Sequence, residues 1–407
     1  MAKKRSAVAI EMNNQMGSNN GDQKKELRES LPSLPKRSKR LPQGLKISRS
    51  LTARLNVQLI DKVFSFLGNR SASRVKATCQ VFNDLGKRRQ QFSYSSGKLI
   101  TQGQLDEAVR TAKGLNNLEK CDSLEQKESA NFVCAFLQRN ATVTPSKIAE
   151  MFPNASIFGC YNGGVLGVNE EGSGTIEIEE EEDCLSGAAA LTWGFIPDST
   201  IKTILLSEMD LQADLKHVRK LLAEAQGAVN SWKGFVLCVP PLLSDSVEDF
   251  LRTLRHLQPL AKVCGGISTE GEVFGGHGGN ITITGEQCAL MCIAGRVDFD
   301  CITCRGKNVK PALERTKKSL NDAGKEVIAS LLFTCCSRGE EFHLERHYES
   351  QQYWDQVGPA PINGMFAGGE IGPSSRRNDR HMLQGYTAVY GVFSIAQDLV
   401  CGRLSTR

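Results

Sequence analysis

The chain has 407 residues, of which 40% are hydrophobic and 23% are charged. These shares lie near the average of globular proteins and exclude a wholly disordered chain. The 14 cysteines are too sparse for a disulfide scaffold, and no stretch reaches the ~20 apolar residues that span a membrane. No apolar segment typical of a signal peptide follows Met1, so we expect reduced thiols and a cytoplasmic and nuclear protein.

The net charge of +5 is unevenly distributed. Residues 1–50 hold twelve Lys or Arg and four Asp or Glu, so the rest of the chain is close to neutral. A near-neutral body argues against direct nucleic-acid binding, which needs a basic folded face. Residues 1–49 predict a disordered basic tail. Its cluster Pro35–Arg40 is typical of a nuclear import signal or, equally, of a solvated linker.

An amphipathic helical pattern follows the tail, over residues 50–92. Two consecutive helices carry apolar residues at helical spacing, namely Leu55, Leu59, Ile60, Val63, Phe64 and Leu67, then Val75, Cys79 and Phe82. This pattern resembles the F-box, a helical module that binds the Skp-type adaptor of cullin–RING ubiquitin ligases. The resemblance implies that these apolar residues bind the adaptor.

From residue 93 onward, strand-like and helix-like segments alternate. Apolar runs predict strands at residues 155–160, 175–179, 188–196, 201–206, 235–239, 281–284, 289–294, 327–334 and 389–395. Helical patterns cover residues 145–152, 210–228, 245–256, 309–323 and 340–354. This alternation predicts a mixed α/β fold behind the small helical module.

Three segments of this body pair a short apolar run with a glycine-rich turn: residues 157–164, 261–272 and 364–372. In α/β folds, glycine at a strand end lets the backbone approach a ligand closely. Together with Phe333–Gly339 and Gly385–Thr387, these segments resemble the FIST family, which occurs in sensory proteins and in one group of F-box proteins. The resemblance implies a FIST N-like domain at 93–285 and a FIST C-like domain at 286–407.

The segment Cys335-Cys336-Ser337-Arg338 follows an apolar strand. A guanidinium beside a thiol favours the thiolate and can hold a carboxylate. We therefore expect Cys335, Arg338 and Glu370 to line a ligand pocket, and the alternative is a structural turn in which Arg338 pairs with Glu370. The predicted ligand or substrate pocket also includes residues from the FIST-like segments, namely Cys160, Asn162, Phe366, Gly369 and Tyr386.

Other motifs give weaker evidence of a metal-binding or catalytic site. Cys288, Cys292, Cys301 and Cys304 have zinc-like spacing, but their apolar surroundings favour buried free thiols. The residues His343-x3-His347 fit one face of a solvated helix, and Glu177 with residues 179–183 fits a solvated acidic loop or a surface for a basic partner. We predict no metal site and no cofactor. Because no Ser-His-Asp order or catalytic carboxylate pair can be assigned, we expect a protein that is not an enzyme.

The two resemblances together imply the substrate receptor of an SCF-type ubiquitin ligase. Such a receptor would bind the Skp-type adaptor, and through it the cullin–RING ligase, and would hold a protein substrate for ubiquitin-dependent degradation. The alternative is a FIST-type sensory module that binds a small carboxylate or amino-acid ligand without a ligase role. A third interpretation is a chromatin or transcription adaptor brought to the nucleus by the basic tail. We expect no membrane partner.

Overall fold

A computed structural model describes residues 94–100, 130–169, 171–179, 187–226, 232–374 and 382–397, all within one compact unit. The predicted basic tail and the F-box-like helices, with the proposed adaptor-binding residues, lie outside these ranges. The boundary predicted at 285/286 falls between two strands, and the division into two FIST-like domains stays a prediction. No helix among the described residues is long and apolar enough to cross a membrane.

The described residues contain three sheets of six strands each. The strands of the first third of the body are β1 Tyr94–Ile100, β2 Phe132–Leu137, β3 Ser156–Tyr161, β4 Val165–Val168, β5 Thr175–Ile178 and β6 Ala189–Phe195. Those of the second are β7 Ser199–Ser207, β8 Trp232–Val239, β9 Lys262–Ile267, β10 Val273–His277, β11 Asn280–Thr284 and β12 Gln287–Gly295. Those of the last are β13 Asp298–Cys304, β14 Lys325–Cys335, β15 Ile362–Ala367, β16 Glu370–Ile371, β17 Leu383–Gln384 and β18 Ala388–Ala396.

Seven α-helices are described. They are α1 Pro145–Met151, α2 Glu208–Leu211, α3 Leu215–Gln226, α4 Ser244–Leu257, α5 Lys310–Asp322, α6 Glu340–His343 and α7 Tyr348–Val357. The N-terminus of α1 follows from its sequence. The Thr144 side chain accepts from the Lys147 N–H at 3.3 Å, and Pro145 occupies the first helical turn. Because each sheet mixes parallel and antiparallel pairs, the mixed α/β class is confirmed.

Two predicted helices are interrupted. The helix predicted at 210–228 is divided into α2 and α3, and the one predicted at 340–354 into α6 and α7. Leu344 and His347 have φ values of 59° and 58°, and left-handed residues end a right-handed helix. The prediction that His343 and His347 share one helix face is therefore wrong.

The three sheets follow one connectivity. Their strand orders are β1-β6-β2-β3-β10-β11, β7-β12-β8-β9-β16-β17 and β13-β18-β14-β15-β4-β5. Adding six to each strand number converts the first order into the second, and the third closes the cycle with β4 and β5. The body is thus three repeats, β1–β6, β7–β12 and β13–β18, and each contributes two strands to another repeat's sheet. A parallel pair forms the middle of each sheet: β2 with β3, β8 with β9 and β14 with β15.

Backbone hydrogen bonds show which positions correspond between repeats. At the end of β2 the Gln138 N–H donates to the Ala188 carbonyl at 2.8 Å, and at the end of β14 the Cys335 N–H donates to the Thr387 carbonyl at 3.0 Å. Gln138 of the first repeat therefore corresponds to Cys335 of the third, and Ala188 corresponds to Thr387.

The second strand of each parallel pair shows the same correspondence. Near its end, one N–H donates to the carbonyl of the strand entering from another repeat: Tyr161 to Glu272 at 2.9 Å, Ile267 to Gly369 at 2.8 Å and Phe366 to Gly164 at 3.1 Å. Counting onward from these bonds, Gly163 corresponds to Gly368, and Val165 corresponds to Glu370. The three glycine-rich segments predicted from the sequence cover the ends of β3, β9 and β15 and the residues just after them, which are equivalent positions in the three repeats.

A shared apolar core joins the sheets. Its cluster includes residues of all three, such as Phe136, Cys160, Met291 and Phe333, and the rings of Phe136 and Phe333 meet edge to face at 5.7 Å. Burying each large side chain contributes roughly 1.5–3 kcal/mol. Three further clusters lie between one sheet and its own helices. The site described next lies at one of the equivalent strand ends, the end of β14.

Candidate functional site

A thiol pair lies where β14 ends. Nine consecutive buried residues precede the end of this strand, and Cys335, the last of them, is 7% exposed. The Cys336 N–H donates to the Ala367 carbonyl at 2.9 Å, and the Arg338 N–H donates to the Cys335 carbonyl at 2.8 Å, which closes a turn. This turn leaves the Cys336 thiol exposed. One thiol thus faces the interior and its neighbour faces solvent.

The two thiols have displaced pKa values in opposite directions. A hydrogen bond from Cys335 lowers the pKa of the Cys336 thiol to about 6, against the opposing effect of partial burial, and Ser337 adds a further hydrogen bond. The same bond, together with burial, raises the pKa of Cys335. The negative charge belongs on Cys336 because that side chain is the exposed one. Cys335 then serves as the S–H donor that stabilises it.

A buried carboxyl group lies beside the thiols. Glu370, on β16, is fully buried, and its Oε2 accepts from the Thr387 N–H at 3.0 Å and from the Thr387 hydroxyl at 2.7 Å. Its Oε1 has no N–H or O–H donor among the described residues, and the Cys335 thiol lies within hydrogen-bonding reach of the carboxyl group. Burial, with the nearby Cys335, raises the pKa of Glu370 to about 8. The carboxyl group is therefore mainly protonated at pH 7 and can donate a proton.

Arg338 does not pair with Glu370. Its buried guanidinium pairs with Glu349 of α7, with Nε 2.8 Å from Oε1, and Nη1 donates to the Tyr386 carbonyl at 3.1 Å. The His343 Nε2 lies 3.0 Å from the same Glu349 oxygen. The alternative of an Arg338–Glu370 salt bridge is therefore wrong, and Arg338 instead positions the chain around the site.

Tyr386 is positioned by this contact. Its side chain is 68% exposed and its φ of 57° is left-handed, so its backbone is held in a strained conformation next to Thr387. The Tyr386 backbone also hydrogen bonds to Cys335, which opposes the rise in the pKa of that thiol. The structure thus brings together four of the sequence-predicted pocket residues: Cys335, Gly369, Glu370 and Tyr386.

The other predicted pocket residues have structural contacts. The buried Asn162 amide donates to the Gly164 and Phe366 carbonyls, both at 2.8 Å, and its Oδ1 accepts from the Thr269 N–H at 2.8 Å. Asn162 therefore ties strand ends of all three repeats together. Cys160 lies in the shared core, with its Sγ 3.2 Å from the sulfur of Met365.

Two residues of the site, Cys336 and Thr387, were not predicted as pocket residues. The adjacent cysteines are visible in the sequence, but only the turn shows which of them is exposed. Thr387 was part of a family-like segment, and its contact with Glu370 joins positions 17 residues apart. Among the described residues, no three His, Cys, Asp or Glu side chains are grouped as metal ligands.

A second buried carboxyl lies in the acidic segment. Glu177 accepts from the Ser350 N–H at 2.7 Å, and burial raises its pKa to about 7. Its own N–H donates to the Nδ1 of His347 at 2.9 Å. These contacts anchor β5 to α7, so Glu177 is a structural residue and not part of a solvated loop.

Comparisons with known proteins give limited matches. No protein-family model matches the chain. An uncharacterized protein of Mycobacterium tuberculosis strain H37Rv is 33% identical over 87 residues, which is 21% of each chain. An uncharacterized protein of Mycobacterium bovis strain AF2122/97 is 38% identical over 64 residues, which is 16% of each chain. The chain thus matches about a fifth of the length of these curated relatives.

Two solved structures of cyanuric acid hydrolase are similar in part. One, from A. caulinodans, is 9% identical, with a TM-score of 0.37, over 75% of this chain and 99% of that one. The other is 10% identical, with a TM-score of 0.34, over 75% of this chain and 100% of that one.

These comparisons contradict the predicted function. The matched relatives are mycobacterial proteins, and none of them is named as a ubiquitin ligase subunit. The prediction of an SCF substrate receptor that binds a Skp-type adaptor and a cullin–RING ligase is therefore wrong. We also predicted a protein that is not an enzyme, whereas the two similar solved structures are named as hydrolases; that prediction is not kept.

Proposed function

We propose that the chain is a thiol-dependent enzyme that acts on small carbonyl compounds at the end of β14. Cys336 is the nucleophile and Glu370 is the general acid. The observation that carries this proposal is the pair of opposite displacements at one place: the pKa of Cys336 is lowered to about 6 and that of Glu370 is raised to about 8. Between these values a thiolate and a neutral carboxylic acid coexist, which is the division of roles that acid–base catalysis needs.

The first chemical step follows from this arrangement. The Cys336 thiolate supplies the electron pair of a new bond from sulfur to the carbonyl carbon, and the carbonyl π electrons move to oxygen. The proton of Glu370 transfers to that oxygen and leaves a carboxylate held by Thr387. With an acyl substrate, the hydroxyl proton of this adduct returns to the Glu370 carboxylate as the carbonyl re-forms, and the bond to the leaving group breaks with its electron pair going to that group. The resulting thioester is hydrolysed by water, which gives the carboxylic acid and restores the Cys336 thiol. The S–H of Cys335 keeps the attacking sulfur ionised before the reaction.

The size of the substrate follows from burial. Cys336 is exposed but Glu370 is fully buried, so a group that contacts both the sulfur and the carboxyl oxygen has to be small and has to displace the side chains that cover Glu370. When the carboxyl group is protonated, Glu370 Oε1 supplies a hydrogen-bond donor at this place.

Turnover of an activated acyl substrate tests the proposal. The full chain is incubated with 4-nitrophenyl acetate, release of 4-nitrophenolate is followed, and the acetylated residue is located by mass spectrometry. We expect acetylation of Cys336 and loss of turnover in Cys336→Ser. The matched control is Cys301→Ser, which changes a partly buried cysteine of β13 and keeps turnover. Equal turnover by Cys336→Ser and the wild type would contradict the proposal.

The family resemblance and the localisation stay predictions. The F-box-like helices and the basic cluster Pro35–Arg40 lie outside the described residues. The three equivalent glycine-rich strand ends support the FIST-like part of the resemblance, because the family segments coincide with them. Fusion of residues 1–49 to a fluorescent protein tests the nuclear part of the localisation.

A further inference from the structure

The first repeat contains a buried side chain at the position of the thiol site. Gln138, which corresponds to Cys335, is 4% exposed. Its Nε2 donates to the Gly163 carbonyl at 2.6 Å, and its Oε1 accepts from the Ala188 N–H at 2.8 Å. The carboxamide therefore joins the ends of the two strands that flank β2, and both halves of the amide are used.

The third repeat has no such amide. Cys335 ends at its sulfur, so the N–H of Thr387, the counterpart of Ala188, is bound instead by Glu370 Oε2 at 3.0 Å. Glu370 corresponds to Val165 of the first repeat. One carboxyl oxygen thus replaces the amide oxygen, but nothing at position 335 replaces the amide nitrogen, which in the first repeat binds the glycine carbonyl.

Two polar features remain at this place in the third repeat. One is the carbonyl of Gly368, the counterpart of the Gly163 carbonyl. The other is Glu370 Oε1, which belongs to a fully buried side chain and has no N–H or O–H donor among the described residues, the Cys335 thiol being its neighbour. An unpartnered buried polar atom is costly unless a ligand or water binds it. The Glu370 carboxyl group lies close enough to the thiol pair that Cys335 raises the pKa of Glu370 and that Glu370 opposes the lowering of the pKa of Cys336. The Gly368 carbonyl follows Ala367, whose carbonyl accepts from the Cys336 N–H.

We infer that the third repeat binds a carboxamide group of its substrate where the first repeat holds the side chain of Gln138. The N–H of the substrate donates to the Gly368 carbonyl, and its carbonyl oxygen accepts from the Glu370 hydroxyl. This inference rests on the proposed function, because it names the chemical class of the compound presented to Cys336.

Competing groups fit less well. A carboxylate offers no donor to the Gly368 carbonyl and would place a second acceptor against it. An ester or a ketone accepts from Glu370 but leaves the glycine carbonyl without a donor. A primary or secondary carboxamide supplies one donor and one acceptor, as Gln138 does in the first repeat.

The first test compares two alkylating reagents that differ in the amide N–H. Chloroacetamide and 2-chloro-N,N-dimethylacetamide are reacted with the full chain, and the rate of Cys336 modification is divided by the rate with glutathione. We expect this ratio to be about tenfold higher for chloroacetamide, because one hydrogen bond separates the two reagents. Equal ratios would overturn the inference. Should neither reagent modify Cys336 faster than glutathione, the nucleophile of the proposed function is wrong, and the second test decides the inference.

The second test does not need a reactive thiol. Acetamide and N,N-dimethylacetamide are added to the Cys336→Ser variant and the Tm is measured. We expect acetamide to give the larger rise in Tm. In the double variant Cys335→Gln/Glu370→Val, the new side chain fills the site as Gln138 does, and this difference between the two amides disappears. The inference is overturned if acetamide has no specific effect on Cys336→Ser or the same effect on the filled variant.

Discussion

The first and third repeats solve one structural problem in two ways. In both, a backbone N–H just before the last strand of the repeat, β6 or β18, needs a buried acceptor. The first repeat uses the amide oxygen of Gln138, which follows β2 and accepts from the Ala188 N–H within the same sheet. The third uses the carboxyl oxygen of Glu370, which reaches Thr387 from a neighbouring sheet.

The difference shows where the body departs from its own repeat. The neutral amide of the first repeat forms two good hydrogen bonds and has no ionisable atom. The acid of the third repeat satisfies the same N–H but leaves one oxygen unpartnered and its pKa raised to about 8. Buried polar groups without partners are concentrated at functional sites. The strand end in the first repeat is therefore structural, and the corresponding strand end in the third repeat is the one suited to catalysis.

The largest expected effect concerns Arg338. The corresponding residue of the first repeat is Ala141, whose N–H donates to the Gln138 carbonyl at 3.0 Å. Replacing Arg338 by alanine imitates the first repeat but leaves the buried Glu349 without its cation. We expect the free energy of unfolding in urea to fall by about 3–5 kcal/mol.

The control for Arg338→Ala is an arginine at the corresponding turn of the first repeat. Arg139 pairs with Glu270 at 2.6 Å, but its side chain is 63% exposed. Arg139→Ala should cost less than about 1 kcal/mol, because surface ion pairs contribute little. Similar losses in the two variants would show that the burial of the Arg338–Glu349 pair has no energetic consequence.

The next effect is on turnover and its pH dependence. The wild-type rate should rise with pH through about 6 as Cys336 loses its proton, and fall through about 8 as Glu370 loses its own. Glu370→Gln keeps an oxygen for Thr387 but cannot donate the same proton, so we expect a rate about a hundredfold lower. The descending arm of the profile should also vanish. A descending arm that persists in Glu370→Gln would assign the acid to another group.

Sequence reasoning located this strand end but not all of its partners. The apolar run before Cys335 predicts a buried strand, and the strand ends within one residue of the predicted position. The neighbouring Glu370 was predicted because it lies in a glycine-rich segment. Glu349, the true partner of Arg338, lies in a polar helical segment where a buried acid is indistinguishable from a solvated one.

The threefold repeat could not be predicted from the sequence either. Its visible trace is the set of glycine-rich segments, some of whose glycines lie inside strands where two backbones approach closely. A Cβ on Gly364 would lie 1.8 Å from the Leu332 carbonyl oxygen, and one on Gly159 would lie 1.9 Å from that of Ala135. The exchange of β4 and β5 into the sheet of β13–β18 joins positions about two hundred residues apart, such as Val165 and Met365. Local periodicity carries no information on such pairings.

A smaller effect is expected from rebuilding the first repeat inside the third. Glu370→Val removes the acceptor of the Thr387 N–H and should cost about 1–3 kcal/mol. Adding Cys335→Gln supplies the amide that Gln138 provides and should recover most of this loss. Urea unfolding at pH 6, where Glu370 is mainly protonated, measures both variants. A double variant less stable than Glu370→Val would mean that the two positions do not correspond.

The smallest expected effect concerns the connection between the parallel strands. In the first repeat one helix, α1, makes this connection, whereas in the third it is broken at Leu344, which is 84% exposed with a φ of 59°. A left-handed conformation costs a residue with a Cβ roughly 1–2 kcal/mol, part of which is offset by the greater chain entropy of glycine. Leu344→Gly should therefore raise the free energy of unfolding by about 0.5–1 kcal/mol. Leu260→Gly, at an 89% exposed position without positive φ, should give no gain, and equal changes in the two variants would exclude strain at Leu344.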